Sequence, residues 1–126
     1  MKKWILKCAS LSTPNDVFNA IKDGTKKVET RPRNPESSIN IETAVQGDIL
    51  VFTSVETGEA IERTVSYVKV YESLQTLSLS ENPNDIFPGT TNPQELLLKF
   101  NEAKKKWGSS YAKKLENYGT VAIGME

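Results

Sequence analysis

The sequence has 126 residues, 37% of them hydrophobic and 25% charged, which is enough apolar material for one ordinary core and too much for a disordered chain. Its 16 Lys and Arg balance 16 Asp and Glu, so there is no bulk positive excess to draw it to long nucleic acid, and any such contact has to come from a local patch. Histidine is absent and Cys8 is the single cysteine, which excludes Ser-His-Asp and Cys-His catalysis, most zinc sites and any intrachain disulfide.

The chain opens on Met1-Lys2-Lys3-Trp4-Ile5-Leu6-Lys7-Cys8. Lys7 cuts the apolar run short of the roughly 7–15 residues that a signal peptide's core needs, so Trp4 to Cys8 is predicted as a strand. No stretch approaches the roughly 20 apolar residues of a membrane span, and a cytoplasmic protein without a membrane partner is expected. Ser12 or Thr13 followed by Pro14 predicts a helix start, Val17, Phe18, Ala20 and Ile21 give its apolar stripe, and Gly24 is its natural end. Lys26 to Arg31 is predicted to leave that turn as a strand, with Val28 and Thr30 on one side and Lys27, Glu29 and Arg31 on the other. Strict alternation sets Lys26 opposite Glu29, so a site shared by both requires Lys26 to remain in the turn.

Pro32 to Asn40, with two prolines and two serines, reads as loop. Gly47-Asp48 turns into a buried strand at Ile49–Ser54, Thr57-Gly58-Glu59 is hairpin-like, and Ala60 to Tyr71 is a long β-rich run. Its alternation slips near Ser66-Tyr67, as a bulge at a barrel corner requires. Ser73 to Leu79 fits a short helix and Asn82 to Pro93 a loop. Asn92-Pro93-Gln94-Glu95 then starts a helix with Leu96, Leu97, Phe100, Ala103 and Trp107 on one face. Gly108 ends or kinks it, Tyr111 to Tyr118 forms a second helix, and Tyr118 to Ile123 closes as a strand. Strands at the start, middle and end, with helices segregated between them, predict an α+β domain over residues 1–126.

The run Ile21-Lys22-Asp23-Gly24-Thr25-Lys26-Lys27-Val28-Glu29-Thr30-Arg31 resembles the ASCH (activating signal co-integrator homology) family, whose hallmark is a helix-ending glycine, then a lysine, then a Glu and an Arg two apart on a strand. Gly47-Asp48, Val70-Tyr71-Glu72-Ser73-Leu74 and Tyr118-Gly119-Thr120-Val121-Ala122-Ile123 follow in the family's order, so the resemblance spans Ile21 to Ile123. It implies a PUA-like fold, a small mixed β-barrel flanked by helices, and an association with RNA. Some small bacterial relatives hydrolyse N4-acetylcytidine with a lysine that falls at Lys26; where they carry a threonine three residues later, this chain has Glu29.

Lys26, Lys27, Glu29, Arg31 and Asp48 are therefore the candidate ligand-binding residues. A guanidinium offers a planar fork to a phosphate or base edge, a carboxylate accepts from an amino N–H, and a desolvated lysine becomes a reactive amine. If the protein is an enzyme, Lys26 and Glu29 are the candidate catalytic pair. Arg33, Lys104, Lys105, Lys106 and Lys113, near Trp107 and Tyr111, are candidate nucleic-acid contacts; a solvated lysine face with Trp107 packed inward is the plainer alternative. Cys8 reads as a buried apolar side chain. No metal site and no cofactor are expected. The leading expectation is recognition of RNA or a modified nucleoside or nucleotide. An amidohydrolase acting on N-acylated nucleobases and a non-catalytic partner of the translation apparatus are the alternatives.

Overall fold

A computed structural model describes residues 1–126. Five strands, β1 (Lys3–Cys8), β2 (Val28–Pro32), β3 (Ile49–Ser54), β4 (Ala60–Tyr71) and β5 (Thr120–Met125), form one mixed sheet in the order β1-β3-β4-β5-β2. β1 runs parallel to β3, with Lys3 opposite Ile49 and Cys8 opposite Ser54; every other pair is antiparallel. The sheet curls into a half-barrel whose two edge strands are β1 and β2. The β4–β5 register shifts between Val65 and Tyr67, where the sequence alternation slips, and the extra residue lets the long β4 bend.

The helices are α1 (Asp16–Asp23), α2 (Leu74–Ser80), α3 (Pro83–Ile86), α4 (Pro93–Trp107) and α5 (Ser109–Tyr118). α1 begins later than the Ser12 or Thr13 start expected from sequence. Asn15 is the preceding residue, in a left-handed conformation, and the Asp16 carboxylate turns back to accept the backbone N–H groups of Leu11, Ser12 and Thr13. The residues after Asn82 form the short α3 where a plain loop was expected, because Asn82 caps it and Pro83 fits its first turn. α4 starts as predicted, with the Asn92 side chain accepting from the Glu95 N–H at 2.9 Å.

Two apolar clusters lie on opposite faces of the sheet. One gathers Trp4, Leu6 and Cys8 of β1 with Phe18, Ile21, Leu50, Phe52, Val65, Val121 and Ile123. The other packs Leu77, Ile86, Leu96, Phe100 and Ala103 of the helices against Val28, Tyr71 and Ala122. β5 feeds both, which is why all six of its residues are buried. No helix is long and apolar enough to cross a membrane.

Candidate functional site

The half-barrel does not close between β1 and β2, and a cavity of about 350 Å³ occupies that seam. Lys7 and Cys8 of β1 line one side, Glu29, Thr30, Arg31 and Pro32 of β2 the other, and Trp107 and Tyr111 the helical wall. The break at Gly108, with φ of 96°, redirects the chain between α4 and α5 so that both aromatic rings reach the same place. Their centroids are 5.2 Å apart in an edge-to-face pair, and the Trp107 indole N–H donates to the Ser10 carbonyl at 3.2 Å, which fixes the ring.

Beneath this wall, Gly24 ends α1 in a left-handed conformation, and the Lys26 N–H bonds back to the Ala20 carbonyl at 3.0 Å. Lys26 therefore stays in the turn, one residue short of the segment that leads into β2, and its side chain runs inward. Only 4% of Lys26 and 5% of Glu29 is exposed, so this is a buried ion pair, with Nζ to Oε1 at 3.8 Å. Lys26 Nζ also donates to the Ile86 carbonyl at 2.6 Å and sits over the Phe87 ring. Glu29 Oε1 accepts the Thr30 N–H at 2.9 Å, and Oε2 accepts from Arg31 Nη2 at 3.1 Å. The same Arg31 nitrogen donates to the Lys7 carbonyl at 2.8 Å, so one guanidinium ties the two edge strands together across the seam.

The electrostatics follow from burial. Desolvation lowers the Lys26 ammonium's pKa below its ordinary 10.5, and Glu29 is the strongest opposing influence. Burial and then the Glu29 charge push the Cys8 thiol up to about 12, so it is a neutral wall of the cavity and no nucleophile. Burial, with a further contribution from Glu29, raises the Tyr111 hydroxyl as well, and it remains a neutral donor. No group of three or more ligating side chains has the spacing to hold a metal ion.

Of the residues singled out from sequence, Glu29 and Arg31 line this cavity and Lys26 lies directly behind them. Lys26 opens instead on a smaller hollow of about 180 Å³, shared with Ser12, Asp16 and Lys99. Lys27 is exposed and belongs to neither hollow, because its backbone pairs with Asp85 and Met125 while its side chain faces solvent. Asp48 is at the other end of β1, where its carboxylate accepts the Trp4 indole N–H at 3.0 Å and the backbone N–H groups of Lys2 and Val45. Those bonds, that of Trp4 foremost, hold its pKa below the usual carboxylate range, and they make it a fastener of the β1–β3 start. Arg33 is engaged with Glu42. Lys104 faces a separate hollow shared with Glu72 and Glu116, and Lys105 and Lys106 are exposed with no part in the cavity. In the basic-aromatic segment it is thus Trp107 and Tyr111, not the lysine run, that build the site. Lys7 and Cys8 carried no sequence signal beyond their strand.

No protein-family model matches the sequence, and no curated protein sequence matches it either. Solved structures do resemble it. The crystal structure of hypothetical protein PH0355 superposes with a TM-score of 0.69 at 23% identity, over 98% of this chain and 97% of the other. The solution structure of protein PF0455 from Pyrococcus furiosus gives 0.61 at 22%, over 98% and 96%. The α+β half-barrel is thus a fold shared across whole chains with both.

Proposed function

We propose that the seam cavity binds a nucleobase, presented by a nucleoside, a nucleotide or RNA, and that the chain is an ASCH-type, PUA-like domain working in the cytoplasm. One observation carries the reading: a carboxylate–guanidinium pair, Glu29 and Arg31, faces an aromatic wall, Trp107 and Tyr111, across about 350 Å³. That volume lies near the small end of ligand pockets and suits a ring system of nucleoside size. A planar base gains from an aromatic wall, while its polar edge needs a fixed donor and a fixed acceptor, which Arg31 and Glu29 supply. Arg31 is held by Glu29 and by the Lys7 carbonyl before any ligand arrives, so little ordering remains to be done on binding. The glycine-to-arginine motif of residues 24–31 and the mixed, open barrel both support the family assignment.

Calorimetric titration with cytidine and N4-acetylcytidine tests this. Trp107→Ala is expected to lose roughly 1–3 kcal/mol of affinity, the usual worth of stacking one base on an aromatic ring. Arg31→Ala is expected to lose at least as much. Wild-type affinity in both variants would sink the proposal.

A second reading has its own observation: Lys26 is a buried amine with a depressed pKa, 3.8 Å from a carboxylate, as a lysine-dependent amidohydrolase of N-acylated nucleobases requires. Against it, the Nζ is turned to the Ile86 carbonyl and does not line the aromatic cavity. Release of acetate from N4-acetylcytidine by the wild type, abolished in Lys26→Met, would establish hydrolysis; no product from a folded sample that binds the nucleoside would leave binding alone.

A further inference from the structure

The hollow of about 180 Å³ on which Lys26 opens has a chemistry of its own. Leu11, Val17, Ile86 and Phe87 give it apolar walls, and Lys99 of α4 lines it together with Lys26. The two lysines differ in depth: the side chain of Lys26 is 3% exposed and that of Lys99 35%, so one amine lies at the bottom and the other near the rim. Pockets for nucleoside-sized ring systems begin at about 300 Å³, so this one suits a molecule of only a few heavy atoms.

Lys26 is the one lysine among the buried residues. Its Nζ meets the Ile86 carbonyl at 2.6 Å and Glu29 Oε1 at 3.8 Å, which leaves a third position of the amine without a protein partner. Burial disfavours the ammonium and so favours the neutral amine, the form that attacks a carbonyl carbon. Lys99 has only an exposed contact with Glu102 at 3.6 Å, a kind of pair that adds little stability, and so is free to turn to another anion. Asp16 is the carboxylate of the hollow, and the backbone N–H groups of Leu11, Ser12, Thr13 and Val17 all bond to it. The hollow thus presents an inner amine, an outer cation and short apolar walls between them.

We propose that this hollow captures a short-chain 2-oxo acid, its keto carbon bonded to Lys26 Nζ as a Schiff base and its carboxylate held by Lys99. Glu29 takes a proton from the Lys26 ammonium, and the freed lone pair attacks the keto carbon while the C=O electron pair moves to oxygen. That oxygen gathers the two protons that the nitrogen gives up and leaves as water, so ammonium and ketone become iminium and water with no oxidant or reductant. The iminium carries the same single positive charge as the ammonium, so Glu29 keeps its partner, and the remaining N–H still has the Ile86 carbonyl within reach. An acid without a keto group would engage Lys99 alone. Lys26 lines this hollow and not the aromatic cavity, so the proposal stands apart from the nucleobase reading.

The test incubates the whole chain with pyruvate and sodium cyanoborohydride, which reduces a Schiff base to a stable N-carboxyethyl amine, and maps the modified lysines by peptide mass spectrometry. Lys26 is expected to be modified at least about tenfold faster than any exposed lysine, because the hollow holds the acid beside the amine. Lys99→Ala, at a partly exposed helix position, should fold normally and slow that modification about tenfold, the cost of losing one charge-assisted contact. Lys105→Ala removes the same charge from an exposed position outside the hollow and should leave the rate as it was. Propanal, which has the carbonyl without the carboxylate, should be captured equally by the wild type and Lys99→Ala. Adducts spread over the exposed lysines with Lys26 unmodified would overturn the capture. A pyruvate rate indifferent to Lys99→Ala would overturn the 2-oxo acid as ligand. Protection of Lys26 by cytidine would overturn the separate hollow, by placing the acid in the aromatic cavity. None of these results touches the nucleobase reading, which stands or falls by the cytidine titration.

Discussion

Glu29 holds two cations on one carboxylate, and the two stand in different surroundings. Arg31 is partly exposed and has a second acceptor in the Lys7 carbonyl, whereas Lys26 is enclosed, with the Ile86 carbonyl as its other partner. Glu29→Gln therefore strands a buried ammonium and is expected to cost about 3–5 kcal/mol in urea unfolding, the usual penalty for breaking a buried pair from one side. Lys26→Met leaves Glu29 with Arg31 and fills the same volume, so it should cost distinctly less; equal losses would contradict this account of the pair. The lysine also sets a pH dependence. Its folded pKa lies below the unfolded value of 10.5, so between the two the unfolded chain holds a proton that the folded chain has released. The stability of the wild type relative to Lys26→Met should accordingly rise as pH climbs toward 10.5, level off above it, and fall as pH drops through the folded value. Cys8 gives an independent check on the enclosure. With its pKa near 12 against an ordinary 9.0, native Cys8 should react with iodoacetamide at mildly alkaline pH ~1,000-fold more slowly than in urea, since the thiolate is the reacting form. Rapid native labelling would mean that the cavity floor is open.

At the level of elements, Gly119 is the tightest joint. It has φ of 80°, and a Cβ there would fall 2.3 Å from the Tyr71 carbonyl oxygen, a backbone atom with no freedom to retreat. Gly119→Ala is expected to destabilise by about 2 kcal/mol or more through strain and displacement of β4 from the start of β5; a thermal midpoint within error of wild type would show that the β4–α5 junction relaxes freely. Much of this scaffold was readable from residues alone. The capped start of α4 at Asn92, the Gly24 stop and the β4 bulge near Ser66-Tyr67 are local devices, written in a few adjacent residues. The start of α1 was not, because the Asp16 carboxylate turns back onto the N–H groups of Leu11, Ser12 and Thr13 and holds that stretch outside the helix. The site divides the same way. Lys26, Glu29 and Arg31 sit within one short segment, whereas Lys7, Cys8, Trp107 and Tyr111 join them only through the fold, and Trp107 meets Ser10 across 97 positions of sequence. Asp48 stood out in the sequence by its place after Gly47, yet its bonds to Trp4, Lys2 and Val45 commit it to closing the far end of β1.

On the scale of the whole molecule, the two apolar clusters are joined through β5, which sends Val121 and Ile123 to one and Ala122 to the other. A strand that is core on both sides cannot leave one cluster without opening the second, so unfolding is expected to be a single transition. Phe100→Ala, in the helix-side cluster, should lower stability by about 3–5 kcal/mol. In a Trp107→Phe background, where Trp4 alone reports from the opposite face, it should also move the far-ultraviolet and tryptophan-fluorescence transitions together. Separated transitions would show that the clusters melt independently.

The strand order has a consequence for how the protein comes into being. Lys7 and Arg31 are only 24 positions apart, yet the sheet reaches from one to the other by way of β3, β4 and β5. β2 has no strand partner except β5, so a growing chain that already contains Lys26, Glu29 and Arg31 has no strand to pair their segment with until Thr120–Met125 emerges from the ribosome. The β1–β2 seam is thus among the last features to form during synthesis, and an incomplete chain, though it holds every residue that lines the cavity, has no cavity for them to line.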